Sequence, residues 1–509
     1  MTRPVQRPLP DTAADPVPGA PAPMNSAPMN SVPMNSTPMN SAPMNSAPAN
    51  RPPANRPPAT PAPATPALAN PGGTALRKRG TAGTGDGPRT ASLMLPASIV
   101  VSFLAASSAP TPLYATYAGR WGFSPITTTV VFGVYAIAVL LALLVLGRLS
   151  DHVGRRPVLL AALAVQAVAL AVLITAGGVG ALVAGRVLQG VATGGALGAL
   201  GAAMVDADRR RGTMANAAAP GFGTGTGALL SGLLVQYAPA PTRLVYLVLV
   251  GVFVVQGVGV FLMPETVTRK PGARAALVPE FTVPAGLRGP VVAAAPILFA
   301  VWALAGFYGS LGPALVRQLS GSSSVVLGGF GFFLLAVVGS VTTGVLGRVA
   351  PRTVMRVGIV MLVLAAGGTV AAVGQSSTVG FFGCTVVAGI GFGAGFQGGM
   401  RTVVPLAAPH ERAGVLSVLY VVCYLGMGAP SVAAGFLVVH GGGLLGTARD
   451  YEFFVIVLAL AALLGLLSTN RSGGPRAQGA GARGTTRAAT HTDPDPDPQP
   501  TTDPGERPS

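Results

Sequence analysis

The chain has 509 residues, half of them hydrophobic and only 10% charged, with a mean hydropathy of +0.58, which is far more apolar than a soluble globular chain. That balance excludes a soluble enzyme or binding domain and calls for a lipid environment. The formal net charge of +17 invites a nucleic-acid reading, but the basic residues sit at the ends of apolar runs, where membrane topology accounts for them without DNA or RNA.

In chain order, residues 1–90 come first as a tract rich in Pro, Ala and Asn. It holds five copies of "PMNS" between Pro23 and Ser46, followed by "ANRPPANRPPATPAPATPA". Such a tract cannot bury a core, and it reads as a disordered or polyproline II spacer, with a docking role for the repeat as the alternative. The first apolar run begins near residue 91, too late and too long for a cleavable leader. Twelve runs of about 20 residues follow, each sufficient to cross a hydrocarbon layer of ~30 Å as a helix. They cover 91–113, 125–147, 157–178, 180–204, 214–237, 243–263, 290–315, 323–346, 353–374, 377–400, 413–439 and 451–468. The longest internal connection, 264–289, is polar and basic and carries Pro271, Pro279 and Pro284. It divides the runs into 91–263 and 290–468. A polar tail, 469–509, ends in a stretch containing "DPDPDPQP". The expected fold is an all-α membrane protein of twelve transmembrane helices in two pseudo-symmetric six-helix bundles.

With both termini placed inside, the connections on that side carry 15 Arg and Lys residues against 4 on the other. This asymmetry orients the chain in the cytoplasmic membrane with both termini in the cytoplasm. Cys384 and Cys423 both fall inside apolar runs, so neither a disulfide nor a metal site is expected. There is no P-loop, metal-ligand cluster or nucleophile elbow, so no catalytic residue, cofactor or metal is assigned and enzymatic activity is not expected.

The two halves echo one another. "GRLSDHVGRR" at 147–156 returns as "GRVAPRTVMR" at 347–356, and "RRGTMANA" before the fifth run is mirrored by "ERAGVLSV" before the eleventh. Duplicated six-helix halves are the architecture of a carrier with its site near the midplane, exposed alternately to the two sides by rocking one half on the other. In the first of these loops Gly147 ends a helix where a side chain would block a neighbouring backbone, and Gly154 suits a turn with positive φ. Asp151 stands among Arg148, His152, Arg155 and Arg156 and can pair with them or sit against a helix N-terminus. A plain positive-inside loop would need neither these glycines nor this aspartate.

These residues resemble the major facilitator superfamily, over roughly 91–468. The stretch Gly147 to Arg156 is similar to the family's loop between helices two and three, and Arg186, Gln189 and Gly190 of "RVLQG" are similar to its motif in helix four. The resemblance implies that Asp151, Arg155 and Arg156 latch the two halves on the cytoplasmic side. It also implies a pathway along helices one, four, seven and ten, where Ser107, Ser108, Arg186, Gln189, Trp302, Tyr308 and Gln397 stand. Two departures are present. The Gly-Pro motif of antiporters appears only as "GTGTGALLSG", with Ala228 in place of proline, and the second-half loop has Pro351 where the first has Asp151.

Charge inside a membrane marks function by default, and by this reading only Arg186 lies inside a run. It has either a cavity-facing role in coupling or anion binding, or it snorkels to the interface. Every acid between 91 and 468 is placed in or beside a connection, so coupling through a buried carboxylate is not expected. The mostly apolar wall favours an amphipathic organic molecule over a sugar. The expected activity is export of a small hydrophobic or amphipathic compound, with protons as a coupling ion. Import of an organic metabolite by symport, or a non-transporting sensor or scaffold, stand as alternatives. A monomer in the bilayer is expected.

Overall fold

The computed structural model describes residues 86 to 472, apart from Thr266. The PMNS repeat and the proline-rich tract after it, and the tail with its Asp-Pro repeat, lie outside the described residues. Among the described residues there are fifteen α-helices and no strand. They are α1 (Asp86–Ser108), α2 (Pro110–Trp121), α3 (Pro125–Leu146), α4 (Ser150–Val153), α5 (Arg155–Ile174), α6 (Val179–Ala207), α7 (Arg209–Tyr237) and α8 (Leu244–Leu262) in the first half. The second half holds α9 (Ala285–Ser310), α10 (Gly312–Ser320), α11 (Val325–Val345), α12 (Pro351–Gly374), α13 (Thr378–Val403), α14 (Arg412–His440) and α15 (Gly443–Ser472). Twelve spans among them are long and apolar enough to cross a membrane.

The spans match the expected runs in number and order, and the edges that moved are informative. The first span continues past residue 113 to Trp121, because α1 and α2 are joined end to end at Ala109. Pro110 and Pro112 do not end the helix. They occupy the first turn of α2, where a missing N–H is tolerated. The seventh span starts at Ala285 rather than 290, and the twelfth starts at Gly443 rather than 451. The twelfth helix gains its early start from Thr447, Ala448, Tyr451 and Glu452, all buried against the rest of the bundle.

One large apolar core fills the first half, built on residues such as Phe103, Tyr117, Leu170, Leu200 and Tyr246. A second core fills the other half, around Phe307, Tyr308, Phe381, Tyr451 and Val455. Each core borrows from the other half. Tyr424 and Met427 of α14 pack in the first, and Ala228 of α7 packs in the second. The halves therefore meet along two helix pairs, α3 with α14 and α7 with α11.

Small residues make those approaches possible. Gly133 faces Val432, Gly435 faces Thr129, Gly225 faces Phe333 and Val337, and Gly232 faces Val325 and Val326. Close backbone approach through glycine is how helices associate where water provides no driving force. These contacts lie between the middle of the bundle and the face opposite Asp151.

Candidate substrate site and gating loop

The joint between α1 and α2 exposes backbone acceptors inside the membrane. Pro110 has no N–H, so it cannot satisfy the Ala106 carbonyl four residues earlier, and such an acceptor in a low-dielectric interior requires another donor. Gln189 of α6 supplies it, donating from Nε2 to the Ala106 oxygen at 3.1 Å. Arg186, one turn earlier on the same face of α6, donates from one terminal nitrogen to the Ser107 carbonyl at 2.7 Å and to Gln189 Oε1 at 2.9 Å. Ser231 of α7 donates to the Ala109 carbonyl at 2.6 Å. The joint is thus held open by three side chains from two neighbouring helices.

Arg186 is 1% exposed, so it does not snorkel to an interface. Its guanidinium carbon stands 4.0 Å from the centre of the Tyr135 ring, a desolvated cation–π contact of about 2 kcal/mol. No carboxylate pairs with it among the described residues. The Arg186 Nε and the hydroxyl of Tyr114 beside it are buried without a hydrogen-bond partner.

From Tyr135 an aromatic wall crosses to the second half. Tyr424 of α14 lies within electrostatic reach of Tyr135, its ring centre is 4.7 Å from that of Trp302 of α9, and Trp302 is 5.9 Å from Phe396 of α13. The Trp302 Nε1 is also buried without a partner. Three buried polar atoms along this wall, on Tyr114, Arg186 and Trp302, are donors with nothing to bond. In a folded protein such groups are rare and each calls for an explanation.

A family model described as the Major Facilitator Superfamily matches residues 97–431. The chain belongs to the Major Facilitator Superfamily. Among solved structures, it is similar to a mutant of the nucleoside transporter NupG, at 13% identity over 75% of this chain and 99% of that one, with a TM-score of 0.55. It is also similar to a bacterial homologue of the human lysosomal transporter Spinster, in an inward-facing and occupied conformation, at 14% identity over 74% of this chain and 96% of that one, with a TM-score of 0.60. At these identities the likeness is one of fold, that of a multi-pass membrane transporter.

In this superfamily member the loop between the second and third spans is a compact charged assembly. Gly154 has φ of 109°, a conformation glycine adopts without strain, and a Cβ there would meet Glu265 Oε2 at 2.6 Å. The Glu265 carboxylate accepts from the backbone N–H groups of Arg155 and Arg156, both at 3.0 Å. It therefore caps α5, and its charge faces the positive end of that helix. The Arg155 side chain, nearly buried, bonds Asp206 at 2.8 Å and Asp151 at 3.4 Å. Arg156 lies over the Phe261 ring at 4.8 Å, and Gly147 turns its carbonyl against Gly198 of α6. The Asp151 carboxylate pairs with Arg155 in its own loop and forms no ion pair with the second half among the described residues.

The central connection lies along this loop. Besides Glu265, the Lys270 N–H donates to the His152 carbonyl at 3.0 Å, and Glu280 pairs with Arg148.

Of the residues singled out in sequence, Ser107, Arg186 and Gln189 come together, although Ser107 contributes its carbonyl. The Ser107 and Ser108 hydroxyls are turned onto Leu104 and Ala105 of their own helix. Trp302 joins the aromatic wall. Tyr308 packs in the interior of the second half, stacked on Phe381 and hydrogen-bonded to Thr385 at 2.8 Å. Gln397 donates to the Thr343 carbonyl at 2.9 Å, tying α13 to α11, and its own Oε1 is buried without a partner. Cys384 and Cys423 are free thiols.

Sequence reasoning overlooked Tyr114, Tyr135 and Tyr424, and it misplaced one acid. Glu452 does not border a connection. It lies ten residues into α15, within the last span, and is 1% exposed. The bundle thus contains a buried carboxylate as well as a buried guanidinium.

Proposed function

We propose that the chain is a secondary transporter working by alternating access, and that it carries a small amphipathic organic compound with an acceptor-rich or anionic end outward across the cytoplasmic membrane. The observation behind this reading is the run of donors without acceptors along an aromatic wall. An anionic or strongly accepting group would bond Arg186, Tyr114 and Trp302, and an apolar body would lie against Tyr135, Tyr424 and Phe396.

The outward direction is part of this proposal, and it is supported by the amphipathic cargo that an apolar wall with few polar groups suits. The 15 to 4 distribution of basic residues supports a cytoplasmic Asp151 face, where Asp151, Arg155 and Arg156 would act on the parting of the halves through their own half and the central connection bound to it.

The test uses the full chain in proteoliposomes with three probes of matched size: an aromatic sulfonate, an aromatic quaternary ammonium and a neutral aromatic amide. Accelerated flux of the sulfonate, lost in Arg186→Ala and strongly reduced in Trp302→Ala, is the expected result. Flux of the ammonium probe alone, or sulfonate flux unaffected by Arg186→Ala, would overturn the assignment.

A further inference from the structure

Glu452 has a setting unlike that of any other acid among the described residues. Asp151, Asp206, Glu265 and Glu280 all reach basic groups or helix N-termini at the face bearing the gating loop. Glu452 is in the opposite part of the molecule, inside the second bundle, and among the described residues no hydrogen bond or ion pair reaches its carboxyl group. An ionised carboxylate without a partner is not tolerated in a membrane interior, so the group there is the neutral acid or it has a means of exchanging its proton.

The surroundings offer such a means. From α9 comes Tyr308, from α13 Cys384, and beside it on α15 Tyr451, each within electrostatic reach of Glu452. The Tyr451 hydroxyl donates to the Ala303 carbonyl of α9 at 2.7 Å and Tyr308 is hydrogen-bonded to Thr385 of α13 at 2.8 Å, so polar groups of the neighbouring helices are ordered around Glu452. One turn towards the helix start, Arg449 and Asp450 are exposed, and the Arg449 guanidinium reaches to within 4.0 Å of where a Cβ on Gly374 of α12 would stand. Glu452 is therefore one helical turn, ~4.5 Å at ~1.5 Å per residue, beneath a charged rim on the face away from the gating loop. No other charged side chain among the described residues pairs with it from these elements.

The two ionisable side chains that are 1% exposed are divided between the halves. Arg186 belongs to the first half and has unfilled donors but no acid. Glu452 belongs to the second half and has a proton to release but no base. We propose that Glu452 is the proton-binding residue of this carrier, taking up a proton at the outer face and releasing it on the cytoplasmic side after the halves rock, while Arg186 and the aromatic wall hold the substrate. The step is a plain transfer. The carboxylate takes a proton from water at the Arg449 and Asp450 rim, forming the carboxyl O–H bond, and after the halves rock that bond breaks and the proton passes to water on the cytoplasmic side. As a coupling role it rests on the transport reading above, whereas proton binding itself does not.

Infrared difference spectroscopy on the full chain in liposomes, recorded between acidic and alkaline buffer without any substrate, reads the group directly. The expected result is a protonated-carboxyl C=O band that shifts in deuterium oxide, is missing in Glu452→Gln and moves in Glu452→Asp. A band identical in wild type and Glu452→Gln would overturn the proposal. In the proteoliposome assay with the sulfonate probe, an inward proton gradient should accelerate wild-type efflux, and Glu452→Gln should lose that acceleration while retaining exchange of probe for probe. An unchanged response to the gradient would refute coupling through Glu452. If wild type moves none of the three probes and the band is still lost in Glu452→Gln, the proton site stands and the transport assignment fails.

Discussion

The joint in the first span makes a quantitative prediction. Gln189→Leu leaves the Ala106 carbonyl buried without a donor, about 1–3 kcal/mol, and removes one of the two acceptors that hold the Arg186 guanidinium, about 1.5–3 kcal/mol for a hydrogen bond to a charged group. The sum, about 2.5–6 kcal/mol, is an upper range, because the two losses share one side chain and coupled sites do not add. Only the first part has a specific remedy. Pro110→Ala restores an N–H positioned for the Ala106 carbonyl, since the preceding Ala109 N–H already bonds Ala105 at 2.9 Å in helical fashion. Gln189→Leu should therefore cost about 1–3 kcal/mol less when combined with Pro110→Ala than it does in the parent chain. Unfolding by SDS titration in mixed micelles reads the cycle, with Trp121 and Trp302 as the only tryptophans. Equal costs in the two backgrounds would mean that Gln189 does not stand in for the proline's missing donor.

Other substitutions test other contacts. Gly190→Val places a Cβ 2.5 Å from that of Ala138 and 2.9 Å from the Tyr135 carbonyl. It should destabilise the α3 to α6 contact by about 1–3 kcal/mol, whereas Gly119→Ala, with nothing within 4 Å, should be neutral or better in the same thermal melt. Glu265→Gln removes the charge that caps α5 and should lower stability there by about 0.5–2 kcal/mol, seen as faster amide exchange at Arg155 and Arg156 with little change in α12. Thr111→Val removes a hydroxyl that donates across the halves to the Gly309 carbonyl at 3.0 Å. Spin labels on Arg120→Cys and Arg317→Cys, both exposed positions, should then report longer and broader distances between α2 and α10 than in the parent pair.

The twelve spans were legible because apolar runs of about 20 residues admit few other structures, and the loop at Gly147–Arg156 because its glycines and charges have steric and electrostatic reasons that survive without a structure. Arg186 was legible as an expensive charge. Its partners were not, since Ser107 acts through a carbonyl freed by the chain's own proline joint, and no composition rule reports which backbone groups a neighbouring helix will meet. Tyr114, Tyr135 and Tyr424 read as three aromatics among many until packing put them on one wall. Glu452 was misread for a local reason. Arg449, Asp450 and Glu452 together look like the polar end of a connection, and only the early start of α15 at Gly443 separates the two exposed residues from the one turned inward.

The central connection sets a mechanical limit on any rocking of the halves. It follows the first half through Glu265, Lys270 and Glu280, then Thr282 packs against Gly414 at the start of α14 in the second half. Only two peptide steps separate Glu280 from Thr282, and a fully extended chain spans at most about 7 Å over that distance. Any gap at the Asp151 face can therefore widen only so far before the strap draws taut and the exposed Arg148 to Glu280 pair must let go. A weak surface ion pair is suited to that duty. It releases under modest load and reforms when the slack returns, so the strap behaves as a resettable end-stop on the opening stroke.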